Sequence, residues 1–258
     1  MRRFLLAAGL LASWTAGAAG AAPPAAGVVE CMNANLPQAV RVQAVEITTW
    51  DRAGQERVLK GRMFGTRDHD RARVMARVEY PGDLAGTAFL LREATSSTEM
   101  YVYLPAVNRV KRIAGAAMTG KLWGTDFSYN EFQRVSNAFA GGAIQLAGAQ
   151  ALEGRAVHEL LLLPPSSEGE PYDSIRVLVD RQTCVPLQAE FRKAGAVRKR
   201  LTAPAAALRQ AGSHWYASEL TLQDLVEGTR TRLRVVGVSA AGKLSASYFH
   251  PQQFHSAR

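Results

Sequence analysis

Apolar and polar side chains alternate regularly along residues 71–80 of this chain. Ala72, Val74, Ala76, Val78 and Tyr80 share one face of an extended backbone, and Arg71, Arg73, Arg77 and Glu79 take most of the other. Such alternation predicts a strand of an antiparallel sheet with one buried and one wet face. Comparable runs occur at residues 40–51, 57–67, 87–92, 100–104, 109–113, 144–146, 157–163, 175–180, 187–193, 215–222, 230–238 and 244–249. About ten or eleven strands with short helices predict a mostly β fold, an open barrel or a sandwich.

Two short helices complete the predicted elements. Ser128, followed three residues later by Glu131, forms a capping-box pattern, which predicts a helix over residues 128–137. A second helix is predicted near residues 30–36. Neither segment is long enough to organise a fold alone, so the helices are expected to cover a sheet.

A Gly/Ala-rich and aromatic segment, residues 114–139, follows a predicted hairpin at residues 100–113. We call residues 114–139 the lid, because a curved sheet must cover its apolar face. Gly115, Gly120 and Gly124 are candidate hinges. Two interpretations stay open: the lid aromatics plug a cavity and move aside for a ligand, or they form an ordinary static core.

The first 22 residues have the pattern of a secretory signal. Arg2 and Arg3 precede an apolar run, and Ala19-Gly20-Ala21 is typical of a cleavage site. The expected organisation is a signal peptide at residues 1–22 and one exported domain at 23–258. Since no acid precedes Glu30, removing Arg2 and Arg3 takes the formal net charge from +9 to +7.

The chain has two cysteines, Cys31 and Cys184, both within the exported part. An oxidising compartment favours a disulfide between them, although two buried free thiols stay open as the alternative. With so few thiols and no clustered imidazoles, no metal site is predicted.

Basic side chains recur on predicted strand faces, where Arg230, Arg232 and Arg234 alternate and Arg198, Lys199 and Arg200 cluster. These cations either solubilise the sheet or meet an anionic membrane or partner. No nucleophile, paired-carboxylate or phosphate-loop motif accompanies the scattered histidines, Ser128 or Asp126. The position of Asp126 and Ser128 before a predicted helix is explained by capping, for which either residue is a candidate. The sequence therefore predicts neither an enzyme nor a cofactor.

The strings MYVYLPAVNRVKRI, from residue 100, and GTDFSYNEF, from residue 124, carry a family resemblance. They resemble the Tyr-Leu-Pro, Arg-Val-Arg-Arg-Ile and Gly-Ser/Thr-Asp-Phe-Ser-Tyr pattern of the outer-membrane lipoprotein-sorting family, relatives of the periplasmic carrier LolA. Lys111 stands where the family more often has arginine. The resemblance implies an open antiparallel half-barrel covered by a helix-and-loop lid.

The resemblance also implies a function: a periplasmic carrier that holds acyl chains of lipoproteins or lipids and delivers them toward the outer membrane. The expected partners are those acyl chains, an inner-membrane transporter as donor and an outer-membrane acceptor, with no nucleic acid and a monomeric protein. The apolar positions expected to line the cavity and lid are Leu59, Met63, Val74, Val78, Phe89, Leu91, Tyr101, Tyr103, Met118, Leu122, Trp123, Phe127, Tyr129 and Phe132. A non-catalytic adaptor of a membrane transporter and a lipid-acting hydrolase remain as alternatives.

Overall fold

A computed structural model describes residues 24–37, 41–68, 71–94, 97–139, 141–167, 169–240 and 244–257. The predicted signal peptide lies outside the described residues. Within the described part of the chain, no helix has the length and apolar character needed to cross a bilayer.

Fifteen strands and two helices are found among the described residues. The strands are β1 (Arg41–Trp50), β2 (Glu56–Asp68), β3 (Arg71–Tyr80), β4 (Ala88–Glu93), β5 (Thr98–Leu104), β6 (Arg109–Ile113), β7 (Ala143–Leu152), β8 (Arg155–Leu163), β9 (Ser174–Asp180), β10 (Pro186–Lys193), β11 (Ala196–Thr202), β12 (Leu208–Ala211), β13 (His214–Ala217), β14 (Glu219–Asp224) and β15 (Thr229–Ala240). The helices are α1 (Ala25–Ala34) and α2 (Tyr129–Ser136).

Thirteen of these strands form one antiparallel sheet in the order β6-β5-β4-β3-β2-β1-β15-β14-β11-β10-β9-β8-β7. The two edge strands, β6 and β7, do not pair with each other, so the sheet stays open. This confirms the predicted open half-barrel. The described residues form more strands than the ten or eleven expected.

Two predicted strands differ in the structure. Residues 215–222 break at Ser218, whose N–H and hydroxyl both donate to the carbonyl of Ala207 at 2.8 Å. The part before the break pairs with β12 in a separate two-stranded sheet. Residues 244–249 form no strand. Instead Ala246–Phe249 is a 3-10 turn whose apolar side chains pack onto the main sheet.

We call the sheet face beneath α2 the inner face and the opposite one the outer face. The expectation that the outer face of β3 is wet is wrong for its middle, where Met75 is fully buried under the C-terminal residues 244–257. Arg77 secures this segment by donating to the carbonyls of Phe254, His255 and Ala257 at 3.0, 3.2 and 3.1 Å. Tyr80, expected inside, is 54% exposed because the register between β2 and β3 shifts at Lys60 and Gly61.

The predicted disulfide is confirmed: Cys31 of α1 is joined to Cys184 in the turn between β9 and β10, with 5.7 Å between their Cα atoms. Asn35 adds a second tie, since its side chain donates to the carbonyl of Thr183 at 2.7 Å and accepts from the N–H of Trp215 at 2.8 Å. The helix begins earlier than predicted, at Ala25. It is thereby fixed to the sheet at one end of the inner face.

Asp180 organises the turn that carries Cys184. Its buried carboxylate accepts from Arg155 Nε at 2.6 Å and from the N–H and hydroxyl of Thr183 at 2.8 and 2.7 Å. Burial alone raises the pKa of Asp180, but these hydrogen bonds outweigh it and hold the pKa below the ordinary 3.8.

Acidification is therefore expected to destabilise the protein through Asp180. Because its pKa is lower in the folded than in the unfolded chain, the stabilisation is present above about pH 4 and is lost as the pH falls through the folded value. Below about pH 4, the free energy of unfolding of the wild type should fall more steeply with pH than that of Asp180→Asn. Exposed Asp83→Asn is the control. If the free energies of unfolding of wild type and Asp180→Asn fell in parallel with pH, the acid sensitivity could not be assigned to Asp180.

Candidate functional site

The lid begins with two short 3-10 turns, Gly115–Thr119 and Leu122–Gly124, and ends with α2. The capping box is confirmed: the N–H of Glu131 donates to Ser128 Oγ at 3.4 Å, and the N–H of Ser128 donates to the Glu131 carboxylate. This cap fixes where α2 starts. Phe132 is thereby buried on the side of α2 that meets the inner face of the sheet.

A cavity of about 270 Å³ lies between the lid and the inner face. Its volume is near the lower end of the ~300–1,000 Å³ typical of ligand pockets. Alternate residues of the sheet supply its wall, such as Val45 and Ile47 from β1 and Leu233 and Val235 from β15. Since most of these side chains are aliphatic or aromatic, the cavity suits an apolar ligand.

Eight of the fourteen predicted positions line this cavity: Leu59, Met63, Val74, Val78, Leu122, Trp123, Phe127 and Phe132. Phe89, Leu91, Met118 and Tyr129 lie one layer away, packed with Phe132 and Leu122. The ring of Phe89 meets that of Phe132 edge to face, with centroids 5.1 Å apart. These four residues support the lid and form no part of the cavity wall.

Tyr101 and Tyr103 lie on the outer face, which corrects their expected position. On β5 the inner face is taken by Met100 and Val102, so the intervening tyrosines pack with the C-terminal residues. Tyr103 stacks on His255, with ring centroids 4.1 Å apart. The alternation of β5 was correctly predicted, but the choice of its buried side was not.

Sequence reasoning missed the wall that β1 and β13–β15 provide. Arg41, Gln43, Val45 and Ile47 occur at alternate positions of β1 and all line the cavity. That spacing was a usable signal. Trp215 and Tyr216 of β13 also line the cavity near α1, and no local pattern distinguishes them from other strand aromatics.

The start of α2 is fixed to the sheet by the buried carboxylate of Asp126. Its oxygens accept from the hydroxyls of Thr229 and Thr231, the latter at 2.7 Å, and its N–H donates to Thr231 Oγ1 at 2.8 Å. The sequence offered Asp126 only as a candidate helix cap. In the structure it instead joins the lid to β15, since Ser128 does the capping.

Glu131 is the second polar anchor of the lid and is 1% exposed. Its carboxylate accepts from Tyr172 Oη and from Lys199 Nζ at 3.3 Å, while the same ammonium donates to the carbonyl of Asp126 at 2.6 Å. Burial, and then the negative charge of Glu131, raise the pKa of Tyr172. The inner face is therefore polar where it receives Asp126 and Glu131, and apolar beneath the rest of the lid.

The basic strand faces are partly occupied by internal contacts. Lys199 points inward to the lid, and Arg200 donates to Glu190 at 3.1 Å. Arg230 and Arg232 lie over the ring of Trp50, at 4.5 and 5.1 Å from its centroid. Docking of the remaining arginines on an anionic surface stays a prediction.

The polar groups near the lid serve structural roles. The hydroxyl of Ser128 caps α2, and the ring of His158 accepts from Arg181 Nε at 3.4 Å. Burial and the charge of Arg181 lower the pKa of His158. Over the described ranges, no group of three or more His, Cys, Asp or Glu side chains is placed to hold a metal. The site can therefore bury an apolar chain.

Comparison with other proteins gives a family and a fold. A family model with the description "Uncharacterized protein" matches residues 70–256, and the chain belongs to this family. No curated protein matches the sequence.

Three solved structures share the fold over 89% of this chain. A domain assigned as an outer membrane lipoprotein-sorting protein from Vibrio parahaemolyticus is 21% identical and covered over 97%, with a TM-score of 0.79. A DUF1329 family protein from Desulfovibrio piger is 18% identical and covered over 98%, with a TM-score of 0.78. A LolA superfamily protein from Nitrosomonas europaea is 17% identical and covered over 98%, with a TM-score of 0.70.

Proposed function

Because the chain belongs to the family whose model matches residues 70–256 and has the fold of LolA superfamily structures, we propose that it is a periplasmic carrier of acyl chains. In this proposal the cavity beneath the lid shields an acyl chain of a lipoprotein or lipid on its way toward the outer membrane. The observation that carries the proposal is the apolar cavity itself, which a packed static core would not contain.

The driving force for binding is burial of the acyl chain. Each methylene moved from water into an apolar site contributes ~0.8 kcal/mol, so a single chain supplies ample affinity. Loading from an inner-membrane transporter and release to an outer-membrane acceptor would give the direction, because burial alone favours neither membrane. The carrier acts as a monomer in this scheme and performs no catalytic step.

The two halves of the lid have different roles in this proposal. Residues 125–139 are held by Asp126 and Glu131 and form a fixed wall. Residues 114–124 are mostly exposed and contain Gly115 and Gly124, both with positive φ. Opening is therefore assigned to residues 114–124.

Trp123 supports this assignment. It lies in residues 114–124, lines the cavity and has a positive φ of 54°, which is unfavourable for a large side chain. Its buried indole N–H has no hydrogen-bond partner among the described residues, a situation that costs ~1–3 kcal/mol. Moving the indole outward would hydrate this donor and free space in the cavity.

A fluorescence titration with a long-chain fatty acid tests the proposal. Binding should be saturable and should shift the emission of Trp123 to longer wavelength, as expected for an indole entering a wetter site. Because Trp215 also lines the cavity, the comparison is made in a Trp215→Phe background. There Trp123→Phe, which leaves Trp50 in place, should bind the fatty acid but lose the shift. Absence of saturable binding by both proteins, or a native mass spectrum of periplasmic protein without any lipid, would favour the adaptor alternative.

A further inference from the structure

Arg41 is a cation on the wall of the apolar cavity. Four alternate residues of β1, Arg41, Gln43, Val45 and Ile47, face the cavity. Val45 and Ile47 are buried, whereas Arg41 and Gln43 are half-buried and mark the end of the cavity close to Leu36 and Pro37. One strand thus passes from an apolar interior to a polar end.

Three further cations border the cavity, Lys60 and Arg62 from β2 and Arg77 from β3, but each has a partner. Lys60 is 3.7 Å from Glu46, and Arg62 is 3.0 Å from Glu79. Arg77 donates to carbonyls of the C-terminal segment. Because these three residues alternate with inward-facing residues of β2 and β3, their charged groups are directed to the outer face.

Arg41 differs because its guanidinium forms no hydrogen bond or ion pair with any described residue. It lies over the ring of Tyr216, whose centroid is 5.6 Å from the guanidinium carbon. Burial lowers the pKa of Arg41. Because a half-buried cation without an anion is unfavourable, a negatively charged group beside it would be stabilising.

There is room for such a group beside the guanidinium. The residues paired with Arg41 in the sheet are Gly65 on β2 and Ala240 on β15, the two smallest side-chain types. A methyl group added at Gly65 would meet no atom within 4 Å. Gln43 and Tyr216 lie at the same end and can add hydrogen bonds.

We propose that Arg41 binds the anionic headgroup, carboxylate or phosphate, of an amphiphile whose acyl chain fills the cavity. The guanidinium presents paired N–H groups that match either oxyanion. The inference rests on the carrier function and specifies the class of cargo. A charged lipid or fatty acid binds more tightly than an uncharged acyl ester. The chain extends from Arg41 toward Phe127.

The test compares probes of equal chain length and different headgroup: a fatty acid, its methyl ester and an alkyl phosphate. The proteins are wild type, Arg41→Gln, Arg41→Lys and the control Arg234→Gln, which removes a cation that pairs with Glu219 on the outer face of β15. Wild type and Arg234→Gln should bind the two anionic probes roughly tenfold more tightly than the ester. In Arg41→Gln this preference should fall to about twofold or less while ester affinity is unchanged, and Arg41→Lys should keep part of it.

The outcomes separate the two proposals. Equal binding of acid and ester by wild type, or a preference that survives Arg41→Gln, overturns the headgroup assignment and leaves the carrier function standing. Failure of all three probes, the ester included, overturns the carrier function and this inference with it. Acetate and inorganic phosphate should not displace the acyl probes. Displacement by either at concentrations near those of the probes would show a free-anion site and overturn the amphiphile assignment.

Discussion

Phe127→Ala is expected to have opposite effects on stability and on ligand affinity. Phe127 is 6% exposed, packs in the largest buried cluster and also lines the cavity. Truncating a buried aromatic side chain costs ~3–5 kcal/mol in the free energy of unfolding, because packing is lost and a void remains. The empty protein should therefore become less stable by about that amount.

Affinity for an acyl probe should stay the same or rise in the same variant. Asp126 and Ser128 hold the backbone on either side of Phe127, so the lid should keep its course and the lost ring should enlarge the cavity. Apolar cavities of this kind accept apolar ligands, and a bound chain regains part of the lost contact. Stability is measured by denaturant unfolding without ligand, and affinity by fluorescence titration.

Phe254→Ala is the matched control. Phe254 belongs to the C-terminal segment and is fully buried against the outer face of the sheet, so its loss should cost similar stability without changing acyl affinity. If Phe127→Ala and Phe254→Ala lower affinity equally, or if neither binds the probe, Phe127 belongs to a static core and the cavity carries no ligand.

Glu131→Ala is expected to destabilise the protein and to loosen the lid. The change leaves Lys199 without one of its two carboxylates and Tyr172 without its acceptor, and it removes half of the capping box. Removing one partner of a buried ion pair typically costs ~3–5 kcal/mol, because the remaining charge is left uncompensated. Denaturant unfolding gives the loss of stability.

Two further variants separate the role of the charge from loss of packing. Glu131→Gln keeps an acceptor for Tyr172 and should be less damaging than Glu131→Ala, because Lys199 still has Asp224 as a counter-ion. Glu190→Ala removes another buried carboxylate, which pairs with Arg192 and Arg200 away from the lid. Limited proteolysis should cut residues 114–139 faster in Glu131→Ala but not in Glu190→Ala. Equal rates of cleavage within the lid in Glu131→Ala and Glu190→Ala would contradict the anchoring role of Glu131.

Much of the local structure was fixed by residues close together in the sequence. Alternation predicted the strands from β1 to β6, the capping box predicted the start of α2, and the even count of cysteines, together with the expected export, predicted the disulfide. These features depend on neighbours along the backbone or on simple chemistry, so sequence reasoning reaches them. The lid was also placed correctly over the sheet, with Leu122, Phe127 and Phe132 at the cavity.

The tertiary structure alone decided how those elements are used. An alternating strand has two faces, and only its packing partners determine which face is inside, so Tyr101 and Tyr103 went to the outer face when the C-terminal segment covered it. Asp126 accepts hydrogen bonds from Thr229 and Thr231, which lie 103 and 105 residues further along the chain, and no local sequence pattern predicts contacts over such separations. Arg41 could not be singled out from the sequence either, because it is one arginine among many. Only the fold places it on an apolar cavity wall, with no carboxylate of a described residue beside it.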